Sequence, residues 1–200
     1  MIDAFVEGVR SIVQVCHLVI LAPVALSIVA ARGRWLAVVG ALAGVVLGGW
    51  FFAAGWFTPS DGMLRLSAVP LIAAVVVLGA PRLFGRKEII RSPVGVGALT
   101  GGVGLLVTQW WRPCVGEELG SILTNTPDQP WSQLLPTIGF MLGISLPLIA
   151  IGLAYVAWPP GPAAATRLGW AGCGLTAVLG VSVIAGQHGE IVSRLFQWSQ

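Results

Sequence analysis

Cys16 and Cys114, 98 residues apart, carry the most specific chemistry legible in this chain. Two thiols brought within reach of one another can close a disulfide, with Cα atoms about 4.4–6.8 Å apart. A buried pair of this kind accepts a disulfide from one side and passes reducing equivalents to the other by thiol–disulfide exchange. The attacking sulfur must be an accessible thiolate. Pro113 and Gly116 flank Cys114 and would open the backbone there to water. Arg112, Glu117 and Glu118 surround the same thiol in sequence. A carboxylate beside a thiol raises its pKa and a guanidinium lowers it, so this group could tune ionisation. His17, next to Cys16, could serve that thiol as a base. The plainer alternative stays open, because free cysteines are common small apolar core residues. Likewise Glu117 and Glu118 would simply be solvated if their segment lies at an interface.

Other chemistries find little support. The third cysteine, Cys173, has no counterpart in the other half and is expected to pack. No pair has CxxC spacing and there are two histidines, so no zinc-ligand cluster is expected. No nucleotide-binding loop or Ser-His-Asp order is present, and no bound cofactor or metal is expected. The net charge of +3 comes without a basic patch, which argues against a nucleic-acid partner.

The elements that must position these residues are membrane spans. Apolar residues make up 56% of the 200 positions and charged residues 10%, with a mean hydropathy of +0.88. Soluble domains carry about a quarter charged residues, so the lipid bilayer is the expected partner of this surface. Apolar runs of about 17–25 residues are long enough to span. They are read at 11–31, 35–57, 66–84, from 93 onward, 133–158 and 168–185. The N-terminal run lacks the basic flank of a signal peptide, since Asp3 and Glu7 precede Arg10, and is expected to be a retained span. The fourth run has no clear break from Arg91 to Pro127 and is expected to be a long or broken helix, interrupted near Pro113 and Gly116. Pro23 gives the first run a milder version of the same feature. Trp35, Trp56, Trp110, Trp111, Trp131 and Trp158 fall near predicted span ends, as an interfacial belt would. His188 is expected on the surface after the last span.

The fold expected is an all-α membrane protein of six spans, with spans one and four broken or kinked. Gly40 and Gly44 are echoed by Gly139 and Gly143, and Arg65-Leu66 by Arg167-Leu168. These echoes divide the chain into a first three-helix repeat (1–84), a basic loop (85–92) and a second repeat (93–200), one membrane domain in all. An odd span count per half makes the repeats inverted, an architecture found in transporters. Arg32, Arg34, Arg82, Arg86, Lys87, Arg91 and Arg167 share one side, against Arg10, Arg65 and Arg194 on the other. By the positive-inside rule both termini are expected outside the cytoplasm.

The stretch Trp111-Arg112-Pro113-Cys114-Val115-Gly116-Glu117-Glu118-Leu119-Gly120-Ser121-Ile122-Leu123 resembles the W-T-P-C-x-G-P-x-L-G-x-I-L segment of CcdA/DsbD-type transmembrane thiol transporters of cytochrome c biogenesis. Gly139 to Pro147 resembles that family's next span, and Cys16-His17-Leu18 with Leu21 and Pro23 loosely resembles its first-half cysteine segment. The resemblance implies a bacterial inner-membrane oxidoreductase with Cys16 and Cys114 as its redox pair. It would take electrons from a cytoplasmic thioredoxin-like protein and pass them to extracytoplasmic thiol proteins. The chain departs from the family at Val15, Val19, Ala22 and Glu117, where the family has prolines, and at Arg112, where it has a small polar residue. Two other classes remain open. One is a solute or ion transporter using Glu117, Glu118, Arg112 and His17. The other is a non-catalytic subunit or assembly factor of a larger membrane complex.

Overall fold

In the computed structural model the described residues are 2–13, 15–31, 35–55, 60–83, 92–110, 120, 122–123, 131–159 and 161–199, and they are helical with no strand among them. The helices are α1 (Ile2–Ser11), α2 (Val15–Ala30), α3 (Trp35–Ala53), α4 (Asp61–Leu83), α5 (Pro93–Trp110), α6 (Leu134–Ile144), α7 (Leu146–Ala157), α8 (Pro162–Ile184) and α9 (His188–Ser199). Three stretches are long and apolar enough to cross a membrane: Trp35–Ala53, Asp61–Leu78 and Ala163–Ile184. The pair α6 and α7 makes a fourth if its members form one span bent by 50°. In a bilayer every backbone polar group must be satisfied within the segment, which is why such sequences fold as helices.

α2 is the centre of the bundle and packs against α3, α4, α5, α7, α8 and α9. Its Leu21, Val24 and Ile28 join Val45, Leu71, Val75, Val103, Val107, Phe140, Met141, Ile144 and Leu148 in one buried core. Large apolar side chains also face outward, among them Leu66, Val69, Leu153, Val156, Val178 and Val181. A water-facing surface of that kind would be costly, whereas lipid accepts it.

Two crossings bring backbones together through glycine. In the first, α3 and α5 run parallel, so that Gly40 faces Gly97, Gly44 faces Gly101 and Gly48 faces Leu105 and Thr108. A Cβ at Gly104 would stand 2.6 Å from the Ala41 carbonyl oxygen and 3.0 Å from the Val45 nitrogen. Thr100 Oγ1 lies 2.9 Å from the Ala37 oxygen, a hydrogen bond across the same seam. In the second crossing, α1 lies on α6. A Cβ at Gly8 would meet the Phe140 carbonyl oxygen and stand 3.1 Å from the Ile144 nitrogen, and one at Gly143 would meet the Phe5 oxygen and the Val9 nitrogen. Small residues permit this proximity, and dispersion between the backbones rewards it.

Several elements differ from the sequence expectation. The first apolar run is preceded by a separate helix, α1, which gives way to a turn at residues 12–13, while Pro23 lies inside α2. α2 continues through Pro23, where the missing N–H costs one bond that a packed membrane helix tolerates. The fifth run bends instead. Pro147 has no N–H to offer the Gly143 carbonyl, α6 ends at Ser145, and α7 starts again from it. Trp35, Trp131 and Trp158 are exposed as an interfacial belt requires, but Trp110 is buried and donates its Nε1–H to Ser67 Oγ at 2.9 Å. After the last span, His188 opens a further helix, α9. The turn before it closes through Gly186, at φ 74°, with Gln187 N–H bonded to the Ser182 oxygen at 2.9 Å.

Candidate functional site: the break between α1 and α2

α1 ends with carbonyls that have no partner further along the helix. Ser11 Oγ folds back to donate to the Glu7 oxygen at 2.8 Å. The Ser11 carbonyl is taken by His17, whose Nδ1 lies 2.6 Å away. A carbonyl can only accept, so Nδ1 is the donor and carries a proton. Both residues are buried, Ser11 at 3% and His17 at 0% exposure. His17 therefore clips the end of α1 to the first turn of α2 and fixes the geometry of the break.

Cys16 is the second residue of α2. Unpaired N–H groups in a helix's first turn favour a negative charge, and a thiolate is the form that exchanges disulfides. α2 is regular immediately after it, in keeping with the absence of proline at Val19 and Ala22. The other predicted site residues, Arg112, Pro113, Cys114, Gly116, Glu117 and Glu118, lie outside the described residues. The helix that leads to them, α5, is described up to Trp110. Its end is anchored to α4 by the Trp110–Ser67 hydrogen bond, and Ser67 Oγ in turn donates to the Leu64 oxygen at 2.6 Å.

Compared with protein-family models, curated proteins and solved structures, the chain matches none of them. The reading of the site therefore rests on its own residues. Cys173 is half-buried in α8 and packs against the central core, as expected of it. Among the described residues no three His, Cys, Asp or Glu side chains gather as a metal site would need.

The structure adds buried polar groups that the sequence reading passed over. Gln109 Oε1, Ser145 Oγ and Thr176 Oγ1 are buried without a hydrogen-bond partner. Such an atom in a membrane interior costs on the order of 1–3 kcal/mol. Ser145 stands at the 50° bend. The sequence signal nearest to it is Pro147, two residues on, which lacks the N–H that would continue the helix from the Gly143 carbonyl.

Proposed function

We propose that the chain is a membrane thiol–disulfide electron carrier built as two inverted three-helix halves, with Cys16 and Cys114 as its dithiol. The observation that carries the reading is the match between the two glycine crossings. Gly44, Ala41 and Val45 on α3 meet Gly101 and Gly104 on α5 as Gly143, Phe140 and Ile144 on α6 meet Phe5 and Gly8 on α1. Gly44 and Gly143 are 99 positions apart, and Gly8 and Gly104 are 96 apart. α4 and α8 are both 23 residues long and start 101 positions apart. On this correspondence α1 is the counterpart of α5. Cys16 follows the last residue of α1 by five positions, and Cys114 follows the last residue of α5 by four. Equivalent breaks in inverted halves approach one another across a two-fold axis in the membrane plane. The first-half break has the chemistry such a role needs, with a cysteine in a first helical turn and a buried histidine that fixes the turn.

In the exchange, a donor thiolate attacks one sulfur of the Cys16–Cys114 disulfide and releases the other as a thiolate. The donor's second thiol then attacks the mixed disulfide, leaving an oxidised donor and a reduced dithiol. The same steps run in reverse reduce an extracytoplasmic disulfide, so two electrons and two protons move per cycle. The donor is a thioredoxin-like cytoplasmic protein, the membrane is the bacterial inner membrane, and both termini face away from the cytoplasm. The test is a thioredoxin variant lacking its resolving cysteine, expressed with the chain. A mixed disulfide that is lost in Cys16→Ser or Cys114→Ser supports the carrier. Absence of any mixed disulfide with both thiols freely alkylatable overturns it.

A second reading, a pathway for a small polar solute, is favoured by the broken span at Ser145 and its buried hydroxyl without a partner.

A further inference from the structure

If α6 and α7 together cross a bilayer, two charged side chains of α1 sit at a depth where lipid cannot receive them. α6 and α7 run from Leu134 to Ala157 between Trp131 and Trp158, both exposed aromatic residues of the kind that mark membrane interfaces. Phe140 and Ile144 lie six and ten residues in from Leu134, which at 1.5 Å per residue is roughly 9–15 Å. The hydrocarbon core is about 30 Å thick, so this level is roughly one third to one half of the way across. Gly8 of α1 is held at that level by its crossing with Phe140 and Ile144. Glu7 precedes Gly8 by one residue and Arg10 follows it by two, so both share its depth.

The helix sorts its residues into stripes. Ala4, Gly8 and Ser11 are buried on the face toward α6. Asp3, Glu7 and Arg10, spaced four and three residues apart, fall on the next stripe. Arg10 Nη1 lies 3.5 Å from Glu7 Oε2, with the two side chains 74% and 43% exposed. Ile2, Phe5, Val6 and Val13 make an exposed apolar remainder. An ion pair of this exposure facing hydrocarbon would bear several kcal/mol of desolvation that its own attraction does not return. Ionisable residues within spans therefore face a bundle interior or water. Arg10 has a stem long enough to reach toward an interface, but Glu7 does not.

We propose that the Asp3–Glu7–Arg10 stripe of α1 lines a water-filled crevice that enters from the side on which α1 begins and ends at the break before Cys16. The crevice rests on α6 and α7 spanning a bilayer and not on the redox pair, so it stands or falls separately from the carrier reading. It would give a hydrophilic partner a route to the first turn of α2 from one face of the membrane only.

The test uses the full chain in lipid vesicles with Cys16, Cys114 and Cys173 replaced by serine. Single cysteines are placed by Asp3→Cys, Glu7→Cys, Arg10→Cys and Val6→Cys, and their rates of reaction with a charged, membrane-impermeant methanethiosulfonate are measured. Glu7→Cys and Arg10→Cys are expected to react within about tenfold of Asp3→Cys, and Val6→Cys at least about a hundredfold more slowly. Since Glu7→Cys removes the ion pair, the chain with Glu7 and Arg10 intact is also treated with hydroxyphenylglyoxal and mapped by mass spectrometry. Modification of Arg10 to about the extent of Arg194, which is exposed on α9, is expected. Charged reagents that reach Asp3→Cys but neither deeper cysteine, with Arg10 protected while Arg194 reacts, would overturn the crevice and leave lipid or a second protein covering the stripe.

Discussion

Replacing Gly8 with alanine asks how α1 is held. The added methyl would run into the Phe140 carbonyl oxygen and stand 3.1 Å from the Ile144 nitrogen. Both are backbone atoms, which cannot swing aside as a side-chain tip can, so the helices must part. Overpacking of a close contact costs about 1–3 kcal/mol. Alanine returns about 0.5–1 kcal/mol of that through its better helix propensity. The expected net loss is thus up to about 2.5 kcal/mol, a shift in equilibrium of up to roughly sixtyfold, against the gain expected from propensity alone. Gly104→Ala should lose a similar amount against Ala41 and Val45. Gly102→Ala is the control, because nothing lies within 4 Å of its Cβ position and propensity alone acts. Reversible unfolding in mixed micelles measures all three, and hydrogen exchange of the α1 amides reports whether α1 has lifted from α6. If Gly8→Ala stabilises as Gly102→Ala does and leaves α1 exchange unchanged, the crossing of α1 on α6 is wrong, and the correspondence between the halves fails with it.

Ser67→Ala should cost about 1–3 kcal/mol by leaving the buried Trp110 Nε1–H without an acceptor. Trp110→Phe in that background should recover part of the loss, which a double-mutant cycle in micelle unfolding checks. Gly186→Ala should cost about 1–2 kcal/mol, because its φ of 74° is left-handed. The Arg65 guanidinium, 2.6 Å from the new methyl, is a side-chain tip that can swing aside, so thermal melts should read the backbone cost alone. Ser145→Ala should be neutral or stabilising, since it removes a buried hydroxyl without a partner. Should it instead abolish uptake of a polar solute while the protein still melts normally, the solute-pathway reading gains over the electron carrier.

The helical membrane class was legible because its signal is collective. Long apolar runs survive any one exception, and α3, α4 and α8 fall where those runs do. α1 was missed for the opposite reason. Asp3, Glu7 and Arg10 keep it out of the apolar run that follows, and a helix of 10 residues owes its stability to packing on α6 through Gly8. Its stripe pattern was present in the sequence, but nothing local said which partner it would meet. Pro23 and Pro147 show the limit from another side. Pro23 is carried inside α2, whereas Pro147 sits in the first turn of α7 just past the end of α6, and residue type alone does not distinguish the two. Trp110 reads as a belt residue by type, and the hydrogen bond to Ser67 that draws it inward joins residues 43 positions apart. Of the candidate site, Cys16 stands out in the sequence by its type and spacing, and the structure puts it in the first turn of α2. The clip between His17 and Ser11 was not, because a histidine's hydrogen-bond partner is set by the fold.

The dithiol itself is tested most directly by the redox state of Cys16 and Cys114 in a Cys173→Ser background. Membranes are treated with a mild oxidant or a reductant, blocked, and probed with a polyethylene-glycol maleimide. An intramolecular disulfide linking the two should form on oxidation and disappear on reduction, shifting the band by two adducts. Peptide mapping should show the Cys16 and Cys114 peptides joined. Two thiols that stay alkylatable under every oxidant, with no joined peptide, would contradict the electron-carrier reading and leave only the helical membrane scaffold.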